Sequence, residues 1–184
     1  GTVVAVEFDK DLARKLPGQF PGKNLTVIST DILSYDLSGL PAGYKVVANI
    51  PYYITSKIIR LLMTADNKPS LTVLLTQKEV AERLAAKPGD MSILAVSAQV
   101  FAEVSLGHVV PAELFTPPPK VDSQVVVLRT RQTPLVSAEE FTDAIHGGSW
   151  DLILADYLLP AFNGLNALDI AREFASATPF VFVS

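Results

Sequence analysis

The sequence contains no cysteine, which excludes disulfide bonds and thiolate metal sites. It has only two histidines, His108 and His146, and their positions do not show the spacing of metal ligands, so no metal site is predicted. No apolar run reaches the roughly 18 residues that a membrane helix needs, and the first residues do not resemble a signal peptide. These absences predict a cytoplasmic protein that has no membrane partner.

Charged residues are also scarce, at 18% of the 184 residues, against 49% hydrophobic residues. This composition excludes a disordered chain and suffices for one sizeable core or two small ones. The charge is unevenly distributed, because residues 1–135 contain 14 Lys and Arg against 12 Asp and Glu, a net charge of +2. Residues 136–184 contain one Arg and seven acids, a net charge of −6. Such a break indicates two segments of different origin, or an acidic tail on a near-neutral domain.

Strand-like apolar runs alternate with helical patterns along the first 130 residues. The predicted strands are residues 2–7, 25–30, 44–50, 71–77, 104–110 and 123–130, and the predicted helices are residues 9–16, 55–65, 78–86 and 92–102. Asp9 is a predicted cap of the first helix, and Thr55 or Ser56 of the second. Several strands are apolar on both faces, which predicts a parallel sheet covered on both sides, that is, an α/β doubly wound domain.

The first three strands each end near a polar residue: Glu7, Asp31 and Asn49. Ligands of open α/β sheets bind at the carboxyl ends of the strands, so these positions form a site hypothesis. Glu7 can accept hydrogen bonds from both ribose hydroxyls of a nucleotide-like cofactor, and Asp31 can accept one from an adenine amino group. The alternative is a solvated acid near a helix start for Glu7 and a turn cap for Asp31.

The stretch NIPYY, at residues 49–53, carries more specific chemistry. The Asn49 oxygen and the neighbouring backbone carbonyl can accept both N–H bonds of an exocyclic base amine, which aims its lone pair at a methyl group. Pro51 fixes the backbone so that this carbonyl faces the site, and Tyr52 can stack on a base taken out of its helix. Catalysis would then be positioning and hydrogen bonding without a covalent intermediate. The alternative is a strand-end turn whose tyrosines pack in the core.

Four stretches and the turn at Asp31 together resemble the ribosomal RNA adenine-N6,N6-dimethyltransferase family; the stretches are VVAVEFD, NIPYYIT, LLTQKEVAERLAAKPGDMSILAV and LFTPPPKVDSQVVVL. The resemblance covers about residues 1–132. It implies a Rossmann-like domain that uses S-adenosylmethionine to dimethylate two adjacent adenines near the end of small-subunit rRNA. The implied partner is therefore rRNA or the pre-ribosomal subunit.

The resemblance also implies roles for individual residues. Those implied for the cofactor are Glu7, Asp31, Ile32 and Asn49, and those implied around the target amine are Asn49, Pro51, Tyr52 and Phe115. The family's glycine-rich methionine-binding loop precedes VVAVE, and the sequence starts at Gly1. We therefore expect a domain that lacks its first strand and that loop, and a chain without catalytic activity is one hypothesis.

The last segment, about residues 137–184, resembles part of a flavodoxin-like response-regulator receiver domain, through the stretches LILADYLLP and PFVFVS. Its predicted order is a strand at 151–157, a helix at 165–175 and a strand at 179–184. The resemblance implies that Asp156 is a phosphoacceptor and Ser184 the switch hydroxyl, and the alternative for Asp156 is a polar residue that closes a strand. The predicted domains are thus residues 1–132 and 133–184.

Three functional hypotheses follow from these patterns. The first is an rRNA adenine dimethyltransferase that uses S-adenosylmethionine. The second is a phosphoacceptor module of a two-component signalling system. The third is an inactive chimeric fragment whose sheet edges are exposed, which predicts a broad, weakly cooperative melt.

Overall fold

The computed structural model describes residues 1–135, 138–156 and 164–183, and the side chains of these residues except 138, 139, 154, 156 and 183. Its strands are Val3–Glu7 (β1), Leu25–Ser29 (β2), Lys45–Asn49 (β3), Leu71–Gln77 (β4), Ala102–Val110 (β5), Ser123–Thr130 (β6), Ile153–Asp156 (β7) and Phe180–Val183 (β8). Its helices are Lys10–Gln19 (α1), Thr55–Thr64 (α2), Lys78–Leu84 (α3), Ile93–Gln99 (α4), Ala138–Gly147 (α5) and Gly164–Phe174 (α6).

The described strands form three sheets. β1 and β2 pair in parallel, and β7 and β8 do the same further along the chain. The largest sheet has the order β3-β4-β6-β5. In that sheet β3 and β4 are parallel, whereas β6 is antiparallel to both β4 and β5.

The prediction of a parallel sheet in the first 130 residues is therefore right for the pairs β1-β2 and β3-β4 and wrong for β5 and β6. The connection between these two strands runs from Pro111 to Asp122 and contains only one short 3₁₀ turn, Ala112–Leu114. Parallel neighbours need a crossover that usually includes an α-helix, so this connection returns the chain antiparallel. The pairing is interrupted by a bulge between Leu106 and Val109.

A side chain caps the start of two helices, α1 and α4, among the four from α1 to α4. The Asp9 carboxylate accepts hydrogen bonds from the backbone N–H groups of Asp11 and Leu12, which confirms it as the cap of α1. Ser92 caps α4 in the same way through Ala95. The predicted capping of α2 by Thr55 or Ser56 is wrong, because Ile54 occupies the cap position without a side-chain hydrogen bond.

The predicted helix at 92–102 is also too long. α4 ends at Gln99, whose side-chain amide donates to the carbonyl oxygens of Leu84 and Ala86. β5 already starts at Ala102, opposite Thr130 of β6. Sheet pairing thus takes the last predicted helical residue, Ala102, into a strand.

The main core lies between α2 and the large sheet. Four apolar residues of α2 recur at helical spacing and are buried, namely Ile58, Ile59, Leu62 and Met63. On β4 every second residue is buried, which is the two-residue period of a strand with one face in a core. Leu74, at 0% exposure, lies at the centre of this face, between Ala48 of β3 and Val126 of β6.

A second, smaller cluster is formed by Ile145, Ile153 and Ala171, which lie on α5, β7 and α6. The predicted strand, helix and strand of this segment are present as β7, α6 and β8. The two clusters share no residue among those described, and Leu135 still donates its backbone N–H to the carbonyl of Val100. The domain boundary between residues 132 and 133 stays a prediction.

Each sheet ends in strands that are paired on one side only within the described part of the chain, and β1 and β3 are two of these edge strands. β1 pairs only with β2, and β3 pairs only with β4. Val47 at the centre of β3 is 81% exposed, and Val3 on β1 is also exposed. Among the described helices, none combines the length and the apolarity that crossing a membrane requires.

Candidate active site

Asn49 is the last residue of β3, and its side chain is exposed. No described residue forms a hydrogen bond with its amide group, so both the oxygen and the NH₂ group are available to a ligand. The next residue, Ile50, is buried at 7% exposure and anchors the chain in the main core. The side chain of Asn49 is therefore held at a fixed strand end and remains open to solvent.

Pro51 and Tyr52 turn the chain from β3 into α2. Pro51 has φ −57° and ψ 133°, and its carbonyl accepts a hydrogen bond from the N–H of Ile54 at 3.1 Å. This bond closes a 3₁₀ turn over Tyr52–Ile54. The proline ring restricts φ to this region, so the turn leaves the strand end at a defined angle.

The ring of Tyr52 is fixed at its far end. Its hydroxyl lies 2.7 Å from the Oγ atom of Ser123, the first residue of β6, and the two groups share a hydrogen bond. Ser123 is 1% exposed, whereas Tyr52 is half-buried and its neighbour Tyr53 is 85% exposed. Tyr52 therefore has a hydrogen-bonded hydroxyl and a ring that is still accessible, which contradicts the alternative of a tyrosine packed wholly in the core.

Phe115 follows the short turn Ala112–Leu114 in the connection between β5 and β6, and it is half-buried. Its loop is attached to the rest of the sheet through Asp122. The Asp122 carboxylate accepts the N–H of Ala112 at 3.0 Å, and its backbone carbonyl accepts the N–H of Lys78 at 3.0 Å. The Thr116–Pro117 peptide bond in this loop is cis.

The register of the strands places Asn49, Tyr52 and Phe115 at one end of the large sheet. Asn49 is opposite Leu75 near the carboxyl end of β4, and the last residue of β4, Gln77, is opposite Ser123. Ser123 is in turn opposite Val110, the last residue of β5. Asn49 and the loops that carry Tyr52 and Phe115 therefore lie at the same end of the large sheet, where β3, β4 and β5 finish.

Ser123 is a residue that the sequence analysis missed. The signal available in the sequence is the polar start of SQVVVLRT, a strand that is otherwise mainly apolar. Only the antiparallel register of β6 against β4 brings it beside the loop after β3. A prediction that considers only parallel strands does not bring Ser123 close to Tyr52.

Glu7 and Asp31 lie at the end of the small β1-β2 sheet. Glu7 closes β1 opposite Ser29, and its Oε1 atom accepts the N–H of Asp9 at 2.8 Å. Asp31 accepts the N–H of Leu33 through Oδ1 at 2.9 Å. Each carboxylate is half-buried and keeps a second oxygen without a hydrogen-bond partner among the described residues.

These carboxylates fit the cofactor predicted from the sequence. The second oxygen of Glu7 can accept hydrogen bonds from the ribose hydroxyls of S-adenosylmethionine. The second oxygen of Asp31 can accept one from the amino group of its adenine. Ile32 is half-buried against the main core and offers an apolar contact beside Asp31. Within the residues that the structure describes, no group of three or more possible metal ligands occurs.

The sequence-predicted residues thus fall into two groups, each at the end of one sheet. The group on the β1-β2 sheet is Glu7, Asp31 and Ile32, and the group on the large sheet is Asn49, Pro51, Tyr52 and Phe115. For the receiver-like prediction, Asp156 is the last residue of β7, opposite Val183, but its side chain lies outside the described residues. Ser184 also lies outside them.

Similar proteins cover most of the chain. The sequence model of the family described as ribosomal RNA adenine dimethylase matches residues 1–146. The chain belongs to this family. A ribosomal RNA small subunit methyltransferase A from Dehalococcoides mccartyi is 41% identical over 147 residues, which are 78% of this chain and 50% of that protein. One from Nostoc sp. is 44% identical over 146 residues, 71% of this chain and 54% of that protein.

Two solved structures in the comparison also support the adenine dimethylase assignment. The crystal structure of the 23S rRNA methyltransferase ErmE has a TM-score of 0.68 and 31% identity, covering 78% of this chain and 59% of that one. A dimethyladenosine transferase from Plasmodium falciparum has a TM-score of 0.61 and 31% identity, covering 71% and 48%. These likenesses confirm the predicted α/β Rossmann-like methyltransferase fold.

The adenine dimethylase family consists of S-adenosylmethionine-dependent enzymes, so the predicted family and its cofactor class are confirmed. The chain spans about half the length of the curated relatives that it matches. The family match reaches residue 146, beyond the predicted boundary at residues 132 and 133. The receiver-like assignment of residues 137–184 stays a prediction.

Proposed function

We propose that this chain dimethylates the N6 amines of adenines in small-subunit rRNA, with S-adenosylmethionine as the methyl donor. The observation that carries the proposal is the exposed Asn49 amide, free of hydrogen bonds to described residues, one turn away from the fixed ring of Tyr52. An rRNA substrate implies an assembling ribosomal subunit as the partner, and a cytoplasmic location.

The roles of the residues follow from the chemistry of the amine. The N6 lone pair of adenine is delocalised into the ring and is a weak nucleophile. Hydrogen bonds from its two N–H groups to Asn49 Oδ1 and to the carbonyl of Ile50 favour a more tetrahedral nitrogen with a localised lone pair. Because an amide is not a base, the proton released from N6 passes to water.

The aromatic side chains hold the base itself. Tyr52 offers its ring face to an adenine that has left its helix, and Phe115 contacts the adenine from the other side. Stacking of this kind contributes about 1–3 kcal/mol per base. Together with the two hydrogen-bond acceptors, it keeps N6 in position for in-line transfer. Glu7, Asp31 and Ile32 hold the cofactor's nucleoside part in this proposal.

The choice of small-subunit rRNA rests on relatives. Proteins named small subunit methyltransferase A are 37–44% identical to the chain, whereas the 23S rRNA methyltransferase ErmE is 31% identical. An RNA hairpin with two adjacent unpaired adenines, as found near the end of small-subunit rRNA, should therefore be methylated faster than a 23S rRNA hairpin. The measurement is transfer of tritiated methyl groups, followed by mass spectrometry of the digested nucleosides.

Two controls make this assay decisive. The same hairpin with both adenines replaced by guanosine should accept no label. Calorimetric titration with S-adenosylmethionine should show one saturable site per chain. Absence of both cofactor binding and label transfer would reject the proposed enzyme, and faster labelling of the 23S hairpin would reject only the choice of RNA.

A second candidate function concerns the end of the chain. The first strand of the parallel unit β7-α6-β8 ends at Asp156, the position of the phosphoacceptor in the receiver-like interpretation of about residues 137–184. In this proposal, incubation with acetyl phosphate and Mg²⁺ adds one phosphoryl group, detected by intact mass. The Asp156→Asn variant should lose the added mass and the exposed Asp151→Asn control should keep it. An unchanged mass of the unmutated chain would remove this candidate.

A further inference from the structure

Three consecutive residues, Asp122 just before β6 and the first two residues of β6, form side-chain hydrogen bonds with three different segments. Asp122 accepts the N–H of Ala112 in the loop that carries Phe115. Ser123 shares a hydrogen bond with Tyr52 in the loop after β3. Gln124 donates its side-chain amide to the carbonyl of Gly107, at the bulge of β5. Asp122 and Ser123 therefore join the loop that carries Phe115 and the loop that carries Tyr52 to the start of β6.

We propose that Ser123 is a positioning residue for the target base, because it fixes the ring of Tyr52 in the orientation that stacks on the adenine. This inference rests on the proposed function, in which Tyr52 contacts the base. Ser123 does not itself reach the substrate, since its side chain is 1% exposed. It acts through the hydroxyl of Tyr52 alone.

The location of Ser123 makes it a rigid support. Its backbone lies between Gln77 of β4 and Val110 of β5, both paired to it in the ladder. Its Oγ atom is 2.7 Å from the hydroxyl at the far end of the tyrosine ring. A hydrogen bond at that end fixes the direction of the axis of the half-exposed ring and therefore the place that the ring occupies, and side chains locked by such supporting contacts hold functional geometry best.

The same contact determines which part of Tyr52 meets the base. A tyrosine hydroxyl has one donor and can accept one or two further hydrogen bonds. With Ser123 bound to it, the hydroxyl points towards β6, and the ring face is the surface left for the substrate. The recognition at this position is therefore stacking, which every base permits, while Asn49 selects the amine.

The test compares Ser123→Ala, Tyr52→Phe and the double variant with the unmutated chain, in methylation of the hairpin with two unpaired adenines. Each single variant should lose about three- to tenfold in kcat, as expected from one hydrogen bond that acts on the transition-state geometry. The double variant should lose no more than either single one, because both remove the same bond. KM for RNA and the affinity for S-adenosylmethionine should change less than about twofold, since phosphate contacts dominate RNA binding.

The matched control is Ser70→Ala. The Ser70 hydroxyl also forms a hydrogen bond of 2.7 Å, to the main-chain carbonyl of Gly43, but Ser70 precedes β4 at the opposite end of the sheet. The Ser70→Ala variant should have the same kcat as the unmutated chain. Thermal melts by circular dichroism give the folded fraction, and kcat is expressed per folded molecule.

The outcomes separate the two claims. Equal kcat values for Ser123→Ala and the unmutated enzyme, or losses that multiply in the double variant, overturn the positioning role and leave the proposed function intact. An unmutated chain that transfers no methyl group overturns both. If Ser123→Ala does not fold, Tyr52→Phe decides, because it keeps the ring and removes only the hydroxyl.

Discussion

Replacing Asn49 by alanine is expected to lower kcat for adenine methylation by about 100-fold or more, with little change in stability. The side chain is exposed and makes no hydrogen bond to described residues, so folding does not depend on it. In the proposed mechanism, however, its oxygen is one of the two acceptors that localise the N6 lone pair. Loss of a single preorganised hydrogen-bonding group at a reacting atom costs roughly 10²–10³ in kcat. The measurement is single-turnover transfer of a tritiated methyl group to the adenine hairpin.

Asn67→Ala is the matched control for this variant. The Asn67 side chain donates to the carbonyl oxygens of Leu37 and Leu40, at 3.0 and 2.8 Å, and holds the segment before β3. Its loss leaves these acceptors unpaired, which should lower the free energy of unfolding by about 1–3 kcal/mol while kcat per folded molecule stays constant. Turnover in Asn49→Ala equal to that of the unmutated chain would reject the assigned role.

The largest expected effect on stability belongs to Leu74→Ala, at about 2–5 kcal/mol. Leu74 is 0% exposed on the second strand of the large sheet, between Ala48 and Val126. Truncation removes apolar contacts and leaves a cavity that the flanking strands close only in part. Natural domains are stable by roughly 5–15 kcal/mol, so this loss is a large share of the total. Urea denaturation followed by circular dichroism measures it.

Val47→Ala serves as the comparison, because Val47 lies on the neighbouring strand but is 81% exposed. Its free energy of unfolding should change by less than about 0.5 kcal/mol. Similar losses in both variants would mean that the core does not lie on the α2 side of the sheet. A sharp urea transition of the unmutated chain would also contradict the hypothesis of an inactive chimera, which predicts a broad one.

The elements that the sequence predicted best are those whose signal is local. The burial of Ile58, Ile59 and Leu62 follows from their spacing on one helix face, and the capping by Asp9 from its position before α1. The exposure of the Asn49 side chain follows from its position at the end of a strand, where a polar amide can stay in contact with solvent. Local patterns of this kind need no knowledge of which strands become neighbours.

The errors have a common physical cause, which is tertiary pairing. Thr55 has the right residue type for a helix cap, yet its hydroxyl instead bonds to that of Thr76 at 2.9 Å, deep in the core. The direction of β6 is set by its short connection to β5, and apolarity alone does not encode direction. The same pairing brings Ser123 beside Tyr52, so the support of the site could not be derived from the motif that contains the tyrosine.

The outer edge of β3 has a practical consequence for work with this protein. Its backbone N–H and C=O groups on that side have no strand partner in the described part of the chain, and Val47 is exposed beside them. Such an edge is a template for any extended segment of another molecule. Backbone hydrogen bonding between neutral amides is not screened by ions as charge pairs are. We therefore expect self-association in solution to decrease on dilution and to respond little to added salt.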